Sequence, residues 1–152
     1  SDANAIGGPL FVGEAYGTWQ GEIEANPEKM FARICERFRQ GKDVSAADFV
    51  AGWQQLERYR AAFKSLIQGF DAVLCPTAPI LPPKLEKLFS DDDYYVTENL
   101  LSLRYTRIAN LMGTCAVTLP TGHPSCGVML LAGAFEEKRL LRLALGAEQA
   151  LK

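Results

Sequence analysis

Asp71-Ala72-Val73-Leu74-Cys75-Pro76-Thr77-Ala78-Pro79 is the stretch on which the fold turns. Four small or apolar residues follow the aspartate without strict alternation, and Pro76 stops the run. This is the pattern of a short strand buried on both faces of a sheet. From Pro76 to Pro83 there are four prolines, each without the amide that a helix interior or a central strand needs. An ordered loop or extended arm is therefore expected after the strand. Two further runs read in the same way. Ala116-Val117-Thr118-Leu119 is halted by Pro120, and Gly127-Val128-Met129-Leu130-Leu131 follows the turn-rich segment Thr121 to Cys126.

Helical patterns lie upstream of these strands and between them. Ser45-Ala46-Ala47-Asp48 is a capping pair, a hydroxyl followed three residues later by a carboxylate. Phe49, Trp53, Leu56, Phe63, Leu66 and Ile67 then form one apolar stripe, with Gln54, Glu57, Arg58 and Lys64 on the solvated face and Gly69 at the C-terminal turn. Burying each of those side chains is worth about 1.5–3 kcal/mol, so the stripe needs a partner. Asn26-Pro27-Glu28 reads as a helix start, continued by Met30, Phe31, Ile34, Cys35 and Phe38 and ended by Gly41. Leu10, Tyr16 and Trp19 mark a weaker helical face over Pro9 to Gln20, which glycines interrupt. Asp91, Asp92 and Asp93 read as a solvated turn, and the helical period returns from Thr97 through Leu100, Leu101, Tyr105, Ile108, Leu111 and Met112 to Gly113. A last helix is predicted over Glu136 to Leu151, with acidic residues in its first turn. Helices that precede and separate three apolar strands predict an α/β fold with a mixed sheet of at least three strands covered by helices. One domain over 1–152 is expected, mainly helical over 1–70 and combining strands with helices over 71–152.

Composition narrows the function classes. A chain of 152 residues with 48% hydrophobic and 22% charged residues can build one core. Sixteen Lys and Arg against eighteen Asp and Glu leave a net charge of -2, so there is no positive field to hold a phosphate backbone and no direct nucleic-acid partner is expected. The apolar stretch Gly127 to Phe135 falls well short of the roughly 20 residues of a membrane span, and no basic-then-apolar leader opens the sequence. A soluble cytoplasmic protein without a membrane partner is expected. Cys35, Cys75, Cys115 and Cys126 lie far apart with one histidine, His123, which defeats the usual zinc spacings and favours free thiols over two disulfides. His123, between Gly122 and Pro124, reads as a loop histidine. No G-x-S-x-G elbow and no phosphate-binding glycine loop is present, the triple aspartate lacks the alternation of a calcium loop, and no cofactor is implied.

The order of features is more specific than any one of them. Asp71 to Pro79, the proline-rich arm, Tyr105-Thr106-Arg107-Ile108-Ala109-Asn110-Leu111-Met112-Gly113, Ala116 to Gly122, Gly127 to Leu131, and Phe135-Glu136-Glu137 with Leu140-Leu141 together resemble the C-terminal part of the amidase signature family. The resemblance spans at least Asp71 to Leu151. Glu14-Ala15-Tyr16 and the Ser45 to Phe63 helix are similar to the segment that precedes it. It implies a partial amidase-signature fold and hydrolysis of carbon–nitrogen amide bonds by a serine whose proton passes to a second serine and then to a lysine. Those residues belong to a glycine- and serine-rich signature and to the segment upstream of it; this sequence has no such run. Ser45, Ser65, Ser90, Ser102 and Ser125 match no catalytic position, nor do the seven lysines, so no catalytic residue is carried over. Two positions depart from the family pattern. Cys115 stands where proline is usual, and Ser125-Cys126 replaces the usual Leu-Pro or Pro-Val before the glycine.

Thr77 follows the first strand at its C-terminal end, where ligands collect in open α/β sheets. With Tyr105 and Thr106 on the next helix it makes the candidate substrate-binding set. The preferred expectation is the C-terminal portion of an amidase, silent alone, meeting its small amide substrate through the complete enzyme. The rival is a non-catalytic interaction domain that dimerises or binds a partner through open sheet edges, which also allows a homo-oligomer. A thiol enzyme built on Cys126 and His123 is the third alternative.

Overall fold

The computed structural model describes residues 2–151; Ser1 and Lys152, the ends of the expected domain, lie outside the described residues. Its contacts divide the chain into two units that meet between Ala61 and Ala62.

In the first unit, helix α1 runs unbroken over Asp2–Ala25, through Pro9 and the glycines expected to interrupt it. Packing explains the difference, since Leu10, Val12 and Ile23 are buried and small residues let other segments approach. Gly13 faces Phe49 and Val44, and a Cβ there would stand 3.3 Å from the Phe49 ring. Gly41 comes closer still, so that a Cβ would land on the Val12 carbonyl. The helix start expected at Asn26 is instead a 3-10 turn, Pro27–Lys29, because the Asn26 side chain caps nothing and Met30 is extended at φ -107°. Helix α2 begins only at Ala32 and runs to Arg39, followed by a second 3-10 turn, Gln40–Asp43, that contains Gly41. Helix α3, Ala46–Leu66, opens on the expected capping box. The Asp48 amide donates to Ser45 Oγ at 3.0 Å and the Ser45 hydroxyl donates to Asp48 Oδ2 at 2.6 Å. Leu56 is its buried anchor, and Phe49 packs edge-on against Trp53.

The second unit holds the strands. Strand β1 is Val73–Pro76, helices α4, α5 and α6 are Leu85–Ser90, Asp92–Ser102 and Arg104–Met112, strands β2 and β3 are Cys115–Pro120 and Gly127–Ala132, and helix α7 is Glu137–Ala150. The order across the sheet is β1-β3-β2. Both pairings are antiparallel, so the mixed sheet expected from sequence is antiparallel across these three strands. β3 is the central strand, buried on both faces as its unbroken apolar run predicts. Leu130 and Ala132 pack with Leu140 and Ala144 of α7 on one face, and Met129 and Leu131 pack with Ala109 of α6 on the other. β1 is not buried on both faces: it is an edge strand whose Leu74 is 67% exposed. Its terminal proline is tolerated for the same reason, since an edge strand has ladder positions without a partner. Arg139 in the first turn of α7 bonds Asp71 at 2.5 Å, which ties the entry of β1 to the helix beneath the sheet.

The triple aspartate is a helix start rather than a free turn. The Asp91 carboxylate accepts from the Tyr94 amide at 2.9 Å and places Asp92 and Asp93 in the first turn of α5. Gly113 ends α6 at φ 66°, in the left-handed cap its position predicts. All four cysteines are free thiols.

Candidate functional site

β1 and β2 run in the same direction on either side of β3, so their C-terminal ends and the start of β3 meet at one end of the sheet. The ladder continues one residue past β1, where the Thr77 amide donates to the Gly127 carbonyl at 3.0 Å. Residues alternate between faces along a strand, so Thr77 lies on the same face as Cys75 and Thr118 on the same face as Met129. Gly127 between them has no side chain. The two hydroxyls therefore reach across β3, and Thr77 Oγ1 meets Thr118 Oγ1 at 3.3 Å. A Cβ on Gly127 would stand 2.8 Å from Thr77 Oγ1 and 3.0 Å from the Thr118 methyl, so this approach requires glycine.

A cleft of about 390 Å³ opens here within the second unit, bounded by the arm from Pro76 to Leu81, Thr118, and Ser125 to Gly127. The arm has no regular structure, as its prolines dictate, and supplies an apolar wall through Pro79, Ile80 and Leu81. The opposite rim is the turn between β2 and β3. Gly122 at φ 77° and Ser125 at φ 59° reverse the chain there, the Cys126 amide donates to the His123 carbonyl at 3.2 Å, and Thr121 Oγ1 donates to the Cys126 carbonyl at 3.2 Å. None of the residues lining the cleft carries a charge.

Of the three candidate substrate-binding residues read from sequence, Thr77 lines this cleft, while Tyr105 and Thr106 do not. Tyr105 on α6 packs against the Ala109, Met129 and Leu131 cluster, on the face of the sheet away from α7. Thr106 is exposed and its hydroxyl donates back to the Leu103 carbonyl at 3.2 Å. Sequence pattern does not mark Thr118, Ser125 or Cys126 as binding residues, and only the sheet order reveals them as neighbours of Thr77. Both His123 and Cys126 are exposed, and among the described residues no thiol–imidazole hydrogen bond joins them. Burial pushes the Cys75 thiol up, which favours its protonated form. Serine hydroxyls are engaged locally: Ser45 with Asp48, Ser90 with the Glu86 carbonyl and Ser102 with the Asn99 carbonyl. No group of three or more metal-ligating side chains gathers among the described residues, and no helix there is long and apolar enough to cross a membrane.

The chain is 31% identical over 125 residues to 2-amino-5-chloromuconic acid deaminase of Comamonas testosteroni, a match covering 80% of this chain and 27% of that protein. It is 31% identical over 99 residues to a glutamyl-tRNA(Gln) amidotransferase subunit of Alkaliphilus metalliredigens (strain QYMF), covering 62% of this chain and 19% of the other. The chain thus matches only about a quarter or less of these curated relatives' length. Among solved structures, allophanate hydrolase of Kluyveromyces lactis superposes with a TM-score of 0.76 at 21% identity, over 93% of this chain and 24% of that one, a likeness of fold. The family described as Amidase matches residues 17–141, and with most of its length inside that match the chain belongs to the amidase family.

Proposed function

We propose that this chain is the C-terminal portion of an amidase-family hydrolase acting on carbon–nitrogen amide bonds, and that it lacks the attacking serine, the relaying serine and the lysine. In this reading it supplies strands, covering helices and one wall of the substrate cleft, with Thr77 on that wall. The observation that carries the proposal is the cleft at the strand ends. It has hydroxyls and neutral walls, but no lysine, histidine or carboxylate lines it to accept a proton from a nucleophile. The family match and the Asp71 to Leu151 resemblance support the amide-hydrolysing class, and the named relatives include a deaminase and an amidotransferase component.

The test is ammonia release from a panel of simple primary amides by the purified chain. The rate should stay at that of buffer. Turnover that survives repurification and disappears in Ser125→Ala would overturn the proposal, because Ser125 is the serine in the cleft.

The interaction-domain reading draws on a different observation. β1 and β2 each present an unpaired edge in the three-stranded order, and Leu74 on β1 is exposed. A monodisperse dimer in solution that dissociates when Leu74 is changed to Lys would favour it.

A further inference from the structure

From the same cleft we infer a substrate class: it takes an uncharged amide with an apolar substituent, oriented by a hydroxyl donor from the Thr77–Thr118 pair. The inference rests on the reading of this cleft as one wall of an amide site. Two features argue for it. First, none of Pro76, Thr77, Pro79, Ile80, Leu81 and Thr118, nor the Ser125 to Gly127 rim, carries a charge. An ammonium placed among them meets no carboxylate and a carboxylate meets no cation, so neither is repaid for the water it gives up, whereas a neutral group gives up less. Second, two hydroxyls that face each other share one proton and leave the other free. With Thr77 donating to Thr118 at 3.3 Å, the Thr118 proton remains available, and so long a contact yields readily to a better acceptor. A neutral carbonyl oxygen is that acceptor, and the apolar arm from Pro79 to Leu81 receives the substituent. The volume of about 390 Å³ has room for an aryl-sized group beside the carbonyl.

Phenylacetamide, its 4-carboxylate and its 4-aminomethyl derivative serve as neutral, anionic and cationic probes on one aryl frame. They are titrated into the 152-residue chain while backbone amide resonances are followed. Phenylacetamide is expected to shift Thr77, Thr118, Ser125, Cys126 and Gly127 saturably, with the two charged derivatives at least about threefold weaker, because each gives up water without an opposite charge to replace it. Thr118→Val should weaken phenylacetamide by about fivefold, the worth of one neutral hydrogen bond, and Thr118→Ser should restore it. Independently of any variant, phenylacetamide should slow alkylation of the exposed Cys126 on the rim of the unmodified protein. Equal binding of either charged derivative, or no saturable shift and no protection of Cys126, would overturn the inference. Its failure is separable from that of the function proposed above. Absent binding removes this inference and leaves a silent chain standing, whereas ammonia release from bound phenylacetamide removes the silent chain and leaves the substrate class.

Discussion

Replacing Gly127 with Ala puts a methyl group between two threonines. The added Cβ would stand 2.8 Å from Thr77 Oγ1 and 3.0 Å from the Thr118 methyl, well inside ordinary contact, and 3.5 Å from the Leu119 carbonyl, which it clears. Both close atoms belong to β-branched side chains with few rotamers, so relief requires turning Thr77 or Thr118 off its preferred rotamer and separating the hydroxyls. Overpacking of this kind costs about 1–3 kcal/mol. Against it stands the gain of about 0.4–1 kcal/mol from restricting the unfolded chain, available because Gly127 is not in the left-handed region. The net expectation is a loss of about 1–2 kcal/mol, read as a lower urea midpoint at unchanged slope. A double-mutant cycle identifies the cause. In a Thr77→Ala, Thr118→Ala background the colliding atoms are gone, and Gly127→Ala should then stabilise by the remaining gain of about 0.4–1 kcal/mol. A loss of the same size in both backgrounds would refute the reasoning, because the strain would then lie in the backbone of β3 and not in the hydroxyl pair.

Gly41→Ala should be more damaging than Gly127→Ala, about 3 kcal/mol or more, because its Cβ meets the Val12 backbone carbonyl, which cannot rotate away; a thermal melt no lower than that of Gly127→Ala would contradict this. Ser45→Ala removes the acceptor of the Asp48 amide and should cost about 1 kcal/mol by urea denaturation, with Ser45→Thr close to wild type. The Arg39 guanidinium, bonded to Glu24 at 3.0 Å, holds that carboxyl below the ordinary glutamate range. A depressed carboxylate contributes stability that is fully present above its unfolded value and lost as pH falls through its folded one, so Glu24→Gln should lower the urea midpoint slightly at neutral pH and flatten the acid limb, the two proteins converging in acid. Under a limiting alkylating reagent, mass spectrometry should find Cys126 modified first and buried Cys35 last, with Cys75 slow because burial keeps its thiol protonated; early labelling of Cys75 would mean that the β1 edge opens.

What the sequence makes legible here is what short segments decide for themselves. Ser45 with Asp48, Gly113 after Met112, and the unbroken apolar run of β3 each carry their cause within a few residues, and each forms as read. Other readings fail where a distant partner decides. Gly13 looks like an interruption until Phe49 is seen against it, and Gly41 looks like a helix terminator until Val12 is seen against it. Asn26 has the right chemistry for a cap but its side chain makes no cap bond, so the helix waits for Ala32. The Asp91 cap, by contrast, is available in the sequence: a carboxylate three residues before Tyr94, with two more acids behind it, is an N-terminal signal.

The same distinction governs the candidate site. Thr77 can be found from sequence because the C-terminal end of a strand is a rule about one segment. Thr118 cannot, because its place beside Thr77 depends on β3 being inserted between β1 and β2, and on position 127 being glycine. No periodicity in a single sequence encodes a sheet order. The late part of the α3 stripe makes the complementary point: its apolar pattern demands a partner, Leu56 finds one, and Leu66 stays 74% exposed. Phe70, Leu74, Leu85, Phe89 and Phe135 in the second unit are exposed in the same way, apolar side chains that their own unit does not cover. Covering such side chains is what the proposed larger enzyme would do, a physical reason for it that is separate from the resemblance.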